Sequence, residues 1–211
     1  MEERQNKSGI PYLAVLVALF YVNDFLFMPV RGYQMWLFVD YMVRIAALVV
    51  IIYLIRAGTA TARDFGLAPM ALKQGVFWSI LLSITGVLID QAGADLLARV
   101  SPIMKQAAYP SITNPYIKTF DLTAGVALVS VTEELIFRAY FYSVLKGVIK
   151  KTGVLIAVSC VVFGFSHWSL GWNIIITATV WSILPMYVMV RTGSVVPALI
   201  AHYVTDFAAF F

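Results

Sequence analysis

Charge is what this chain has least of. Only 12% of its 211 residues are Asp, Glu, Lys or Arg, while 61% are hydrophobic. A soluble domain carries about 25% charged residues. A soluble fold of this size cannot hide so much apolar surface, so lipid is the expected solvent. Cysteine is nearly missing as well. Cys160 stands alone in an apolar run, which excludes an internal disulfide and reads as a small buried apolar residue. No basic run is interleaved with aromatics, so the net charge of +4 points to membrane topology and not to nucleic acid. The zinc-peptidase pattern His-Glu-x-x-His is missing. No internal repeat or pair of broken helices favours a proton-coupled transporter.

What is present is a series of apolar stretches near the 20 residues a membrane helix needs. Seven are expected, with an eighth possible: 10–28, 35–55, 75–97, 122–145, 153–168, 173–190 and 194–211. The first follows Arg4 and Lys7 but is long for a signal-peptide core, so it reads as an uncleaved span. Residues 100–120, with Pro102, Pro110 and Pro115, read as a loop with room for a short surface helix. The fold class is therefore all-α, a polytopic transmembrane helical bundle, with 1–211 as one integral membrane domain. An N-terminus in the cytoplasm places Arg4, Lys7, Arg56, Arg63, Lys73, Lys146, Lys150, Lys151 and Arg191 inside. It leaves only Arg31, Arg99, Lys105 and Lys118 outside. That asymmetry favours a cytoplasmic N-terminus, and the small size of this multi-pass chain makes the plasma membrane the expected location.

The scarce charges are concentrated where they cost most. The fourth span contains Glu133, Glu134 and Arg138 near its middle. A charged side chain at a helix centre costs about 2.5–3.5 kcal/mol on insertion scales. Such groups normally face a bundle interior or a water-filled cavity. Glu134 and Arg138 stand at i and i+4 and are expected to pair as support. Glu133 points about 100° away, has no cation one turn off, and is expected to be the reactive carboxylate. A structural ion-pair cluster is the bland alternative.

Histidine is rare too, with only two in the chain. His167 closes the fifth span, and His202 lies in the seventh with Asp206 at i+4. An Asp beside a His fixes its tautomer and raises its basicity. Phe163, one turn before His167, is expected to position that ring. Asp40 and Arg44, also i and i+4, are expected to form a helix-packing ion pair. Asp24 is expected to be interfacial, and Trp168 and Trp172 are expected to anchor at the interface. Ser166 follows Gly164-Phe165, but without a second glycine it does not support a serine nucleophile.

Three motifs in order, Glu133-Glu134-Leu-Ile-Phe-Arg138, Phe163-Gly-Phe-Ser-His167 and His202-Tyr-Val-Thr-Asp206, resemble the signature of the CAAX protease and bacteriocin-processing (CPBP, or Abi) family. The resemblance covers 122–211, the expected catalytic core helices. It implies an intramembrane endopeptidase that cuts near a membrane-associated C-terminus or in a small peptide. Glu133 and His167 would activate water, and His202 with residue 206 would stabilise the oxyanion. Asp replaces the Asn of eukaryotic-type relatives at position 206. An ionised Asp cannot donate a hydrogen bond, so Asp206 is expected to orient His202, leaving His202 as donor. No cofactor is expected. If the enzyme were metal-dependent, zinc would lie among Glu133, His167 and His202. The implied partners are the bilayer and a membrane-associated protein or peptide substrate. A non-catalytic bacteriocin-immunity or partner-binding role on the same scaffold is the alternative.

Overall fold

The computed structural model describes residues 2–27, 33–100 and 112–210. The prolines at 102 and 110, Arg31, Lys105 and Phe211 lie outside them. Among the described residues there are seven helices and no strand. They are α1 (Glu2–Phe27), α2 (Tyr33–Arg56), α3 (Leu72–Val100), α4 (115–145), α5 (Thr152–Phe165), α6 (Trp172–Thr192) and α7 (Val196–Phe210). Three stretches are long and apolar enough to cross a bilayer: Met35–Arg56, Leu72–Val100 and Trp172–Thr192. Shorter apolar helices accompany them, and the molecule is a helical membrane bundle.

Several helices run a few residues past the expected spans, and two boundaries differ in ways that bear on the site. The fourth helix starts at Pro115 instead of Leu122. Asn114 caps it by accepting from the Tyr116 and Ile117 N–H groups, and a proline at the first helical position loses no hydrogen bond. The fifth helix stops at Phe165, so His167 is not helical. It sits at φ −102°, ψ 23°, just before a short 3₁₀ turn, Trp168–Leu170.

The central helix, α4, is packed against α1, α2, α5, α6 and α7, and α3 closes the far side against α6 and α7. It is not a regular α-helix. Two π-helical stretches, Asp121–Gly125 and Glu134–Tyr140, widen its turns. The second begins at the paired glutamates, and π-turns recur at functional sites. Ser159 of α5 donates to the Phe137 carbonyl at 2.6 Å, an interhelical bond onto this loosened stretch. Close approach of α5 and α6 depends on Gly164: a Cβ there would overlap the Thr179 hydroxyl and come within 2.6 Å of the Ile175 carbonyl oxygen.

The α2–α3 connection is a docked turn. Gly66 takes φ +67°, and a Cβ on it would stand 2.9 Å from both Ala139 and Val195. Its carbonyl accepts from the Val195 N–H (2.9 Å), which joins this turn to the α6–α7 turn. Asp64 accepts from Ser143 of α4 (2.5 Å) and from the Thr61 hydroxyl (2.7 Å) and N–H (2.8 Å). These bonds gather Arg56, Arg63, Lys146 and Arg191 toward one end of the bundle.

Burial pushes the Asp64 carboxyl up, but the hydrogen bonds from Ser143 and Thr61 and the nearby Lys146 charge outweigh it and hold the group below the usual carboxylate range. A carboxyl lowered by folding adds stability above its unfolded value, and the gain disappears as pH falls through the folded value. Asp64→Asn is therefore expected to lower thermal stability in detergent by about 1 kcal/mol or less, since the site is only half-buried. The difference should be full at neutral pH and fade below about pH 4. A constant difference down to strongly acid pH would contradict it.

Candidate active site

The polar residues of the wide α4 turn face inward in two directions. Glu133 is 4% exposed and Glu134 and Arg138 are fully buried. Glu133 faces α2 and a cavity of about 540 Å³ lined also by His167, His202 and Asp206. Glu134 faces α7, where its Oε1 lies 2.9 Å from His202 Nδ1.

Arg138 meets Glu134 Oε2 at 3.3 Å, as expected from the i, i+4 spacing. The contact is an ion pair without hydrogen-bond geometry, because the wide turn sets the two residues off the vertical. The guanidinium instead lies 3.7 Å from the centroid of the Phe163 ring and 5.2 Å from that of Trp181. Phe163 is the common wall of the site. It meets His167 edge-on at 5.0 Å and His202 at 6.0 Å. Trp181 backs His202 at 4.9 Å.

Both imidazoles present Nε2 to one oxygen. His167 Nε2 is 4.0 Å and His202 Nε2 3.8 Å from Glu133 Oε2. Among the described residues that oxygen has no hydrogen-bond partner. The other nitrogen of each ring is occupied. His167 Nδ1 lies 3.1 Å from the Phe163 carbonyl and 3.2 Å from Ser166 Oγ. A carbonyl only accepts, so Nδ1 carries the proton and neutral His167 offers a lone pair at Nε2. Ser166 donates to the same carbonyl at 2.7 Å, a bond that supports the turn and not a nucleophile.

Two expectations change. Asp206 lies 3.5 Å from His202 Nε2, on the cavity side, so the ring is oriented from Nδ1 by Glu134 instead. Glu133 does have a cation, supplied across the helix interface: Arg44 Nη1 donates to its Oε1 at 2.8 Å. Arg44 keeps the expected Asp40 partner as well, through Nε at 2.8 Å. The sequence signal for Arg44 was its place in an apolar span. Its second partner was invisible because it lies 89 residues away. Asn23, which donates to Asp40 at 2.7 Å, and Trp181 carried no such signal. Asp24 is tied to the site's floor, accepting from the Ser169 N–H at 2.8 Å.

Residues 115–208 match a family model described as Rce1-like, type II CAAX prenyl endopeptidase. No curated protein and no solved structure matches. The match spans the C-terminal helices and agrees with the CPBP resemblance of the three motifs. The family match supports an intramembrane protease of the CAAX/CPBP type. Glu133, His167, His202 and Asp206 all lie inside the matched stretch, whereas Asn23, Asp40 and Arg44 lie outside it.

A zinc ion does not fit the three donors as they stand. Tetrahedral bonds of about 2.0–2.1 Å put ligand atoms about 3.3 Å apart. The Glu133–His separations are 3.8 and 4.0 Å, and among the described residues no three His, Cys, Asp or Glu side chains form a metal-holding group. A water about 2.8 Å from each of two atoms this far apart is unstrained.

Removing one member of a buried ion pair leaves an uncompensated charge. Arg138→Met is expected to destabilise the protein by about 3–5 kcal/mol, measured by thermal unfolding in detergent. The double variant Arg138→Met with Glu134→Gln should recover part of that loss. Additive losses would show that the two charges do not stabilise each other.

Proposed function

We propose that the chain hydrolyses a peptide bond of a membrane-associated protein or peptide with a water activated by Glu133 and His167. The single observation that carries this reading is the convergence of both histidine Nε2 atoms on the free oxygen of Glu133.

In this reading Glu133 Oε2 and His167 Nε2 orient one water. Glu133 takes a proton as the water oxygen bonds to the scissile carbonyl carbon. The carbonyl oxygen gains the charge and accepts from His202 Nε2. Because Nδ1 is turned to Glu134, donation at Nε2 calls for the doubly protonated ring, and Asp206 beside Nε2 balances its charge. Collapse of the tetrahedral species breaks the C–N bond, and Glu133 returns its proton to the leaving nitrogen. No resident metal enters the scheme.

Loop charge supports an orientation. The basic ends of α2, α4 and α6 would face the cytoplasm. The cavity is lined toward the opposite end by Asp90, Asp95 and Asp121, so it would open away from the cytoplasm. A surface or secreted protein with a C-terminal membrane signal suits that opening better than a prenylated cytoplasmic tail. A plasma-membrane location follows from the same reading.

Mass spectrometry of membrane-associated peptides should reveal new termini in cells carrying the wild-type chain. Loss of a general base typically costs about 10²–10⁴-fold, so Glu133→Ala should abolish them. Termini that persist unchanged in Glu133→Ala cells would overturn the assignment. Chelator-treated membranes should keep producing them, and activity restored only by added zinc would replace this mechanism with a metal one.

A further inference from the structure

An ion pair that only packs one helix is complete with two partners. Arg44 and Asp40 satisfy that within α2 (2.8 Å), yet the Arg44 guanidinium reaches on to α4. Its Nη1 donates to Glu133 Oε1 (2.8 Å) and lies 3.3 Å from Thr132 Oγ1. Asp40 is in turn held by Asn23 of α1, whose Nδ2 donates to Asp40 Oδ1 (2.7 Å). The Phe20 ring faces the guanidinium at 5.2 Å. All of these groups except Thr132 and Glu133 come from α1 and α2, which precede the stretch matched by the family.

We propose that Arg44 is a positioning residue for Glu133, fixed by Asp40 and Asn23. A glutamate side chain has three rotatable bonds, and nothing within α4 restrains this one. The Arg44 bond holds Oε1 and thereby aims Oε2 at the two imidazoles. It also supplies the counter-charge that a carboxylate needs in a dry setting. The planar guanidinium suits this task because it donates along two directions at once, one arm to each carboxylate, which an ammonium on a flexible stem does not reproduce. The proposal rests on the peptidase reading above.

The test uses the full chain in native membranes, with production of the Glu133-dependent termini as readout. Arg44→Ala is expected to lower it about tenfold to a hundredfold, the scale of a small misplacement of a reacting group. Arg44→Lys should fall between Ala and wild type. Guanidinium ion at non-denaturing concentration should restore cleavage in Arg44→Ala membranes, whereas sodium chloride should not, and neither should help Glu133→Ala. A merely structural arginine would show no such rescue. Folded Arg44→Ala with wild-type cleavage, or with a loss that neither lysine nor guanidinium recovers, overturns the proposal. If Arg44→Ala does not accumulate, full wild-type cleavage by Arg44→Lys overturns it instead. Absence of new termini in wild type, or their persistence in Glu133→Ala, defeats the peptidase reading and is distinguishable from both.

Discussion

The structure depends on cancelling charge inside a bundle of low dielectric. Two guanidinium groups, Arg44 and Arg138, are buried at the centre of the bundle, and each faces carboxylates that are buried with it. An unpaired ion in a low-dielectric interior is strongly unfavourable, whereas a paired and hydrogen-bonded one is tolerated. Arg44 neutralises Asp40 and Glu133 together. Arg138 lies against Glu134, which also holds His202. The two clusters meet through adjacent residues of one helix, so the packing of α2, α4 and α7 joins paired charges to an apolar core.

The wide turn of α4 allows this. Adjacent glutamates on a helix diverge, and here one serves α2 and the cavity while its neighbour serves α7. Phe163 then fills the angle between the clusters, touching Arg138 on one side and both imidazoles on others. The chemistry attributed to Glu133 depends on an asymmetry in its own carboxylate, since one oxygen is tied to an arginine and the other is left free.

Local sequence carried much of this and distance concealed the rest. Hydropathy located the seven helices, and i, i+4 spacing found Glu134–Arg138, Asp40–Arg44 and His202–Asp206 as contacts. The divergence of Glu133 from Glu134 was legible from helix geometry alone. Partners on other helices are not legible in local spacing, which shows neither the reach of Arg44 to Glu133 nor the bond by which Glu134 orients His202. The end of α5 at Phe165 was also missed, because an apolar run through Trp168 has no capping signal to stop it. The early start of α4 falls where the sequence leaves room for a short helix, but Pro115, which opposes a helix interior, acts here as an initiator of the long one.

The docked turn between α2 and α3 has a consequence for how this protein could be divided. Asp64 is bonded to α4 and Gly66 to the start of α7, so the N-terminal pair of helices is latched onto the C-terminal ones at the same end of the bundle. A fragment cut to begin at residue 115 would lose that latch and strand Glu133 without its counter-ion. On the proposed reading, truncation to the stretch that carries the family likeness would also remove the groups that position its carboxylate.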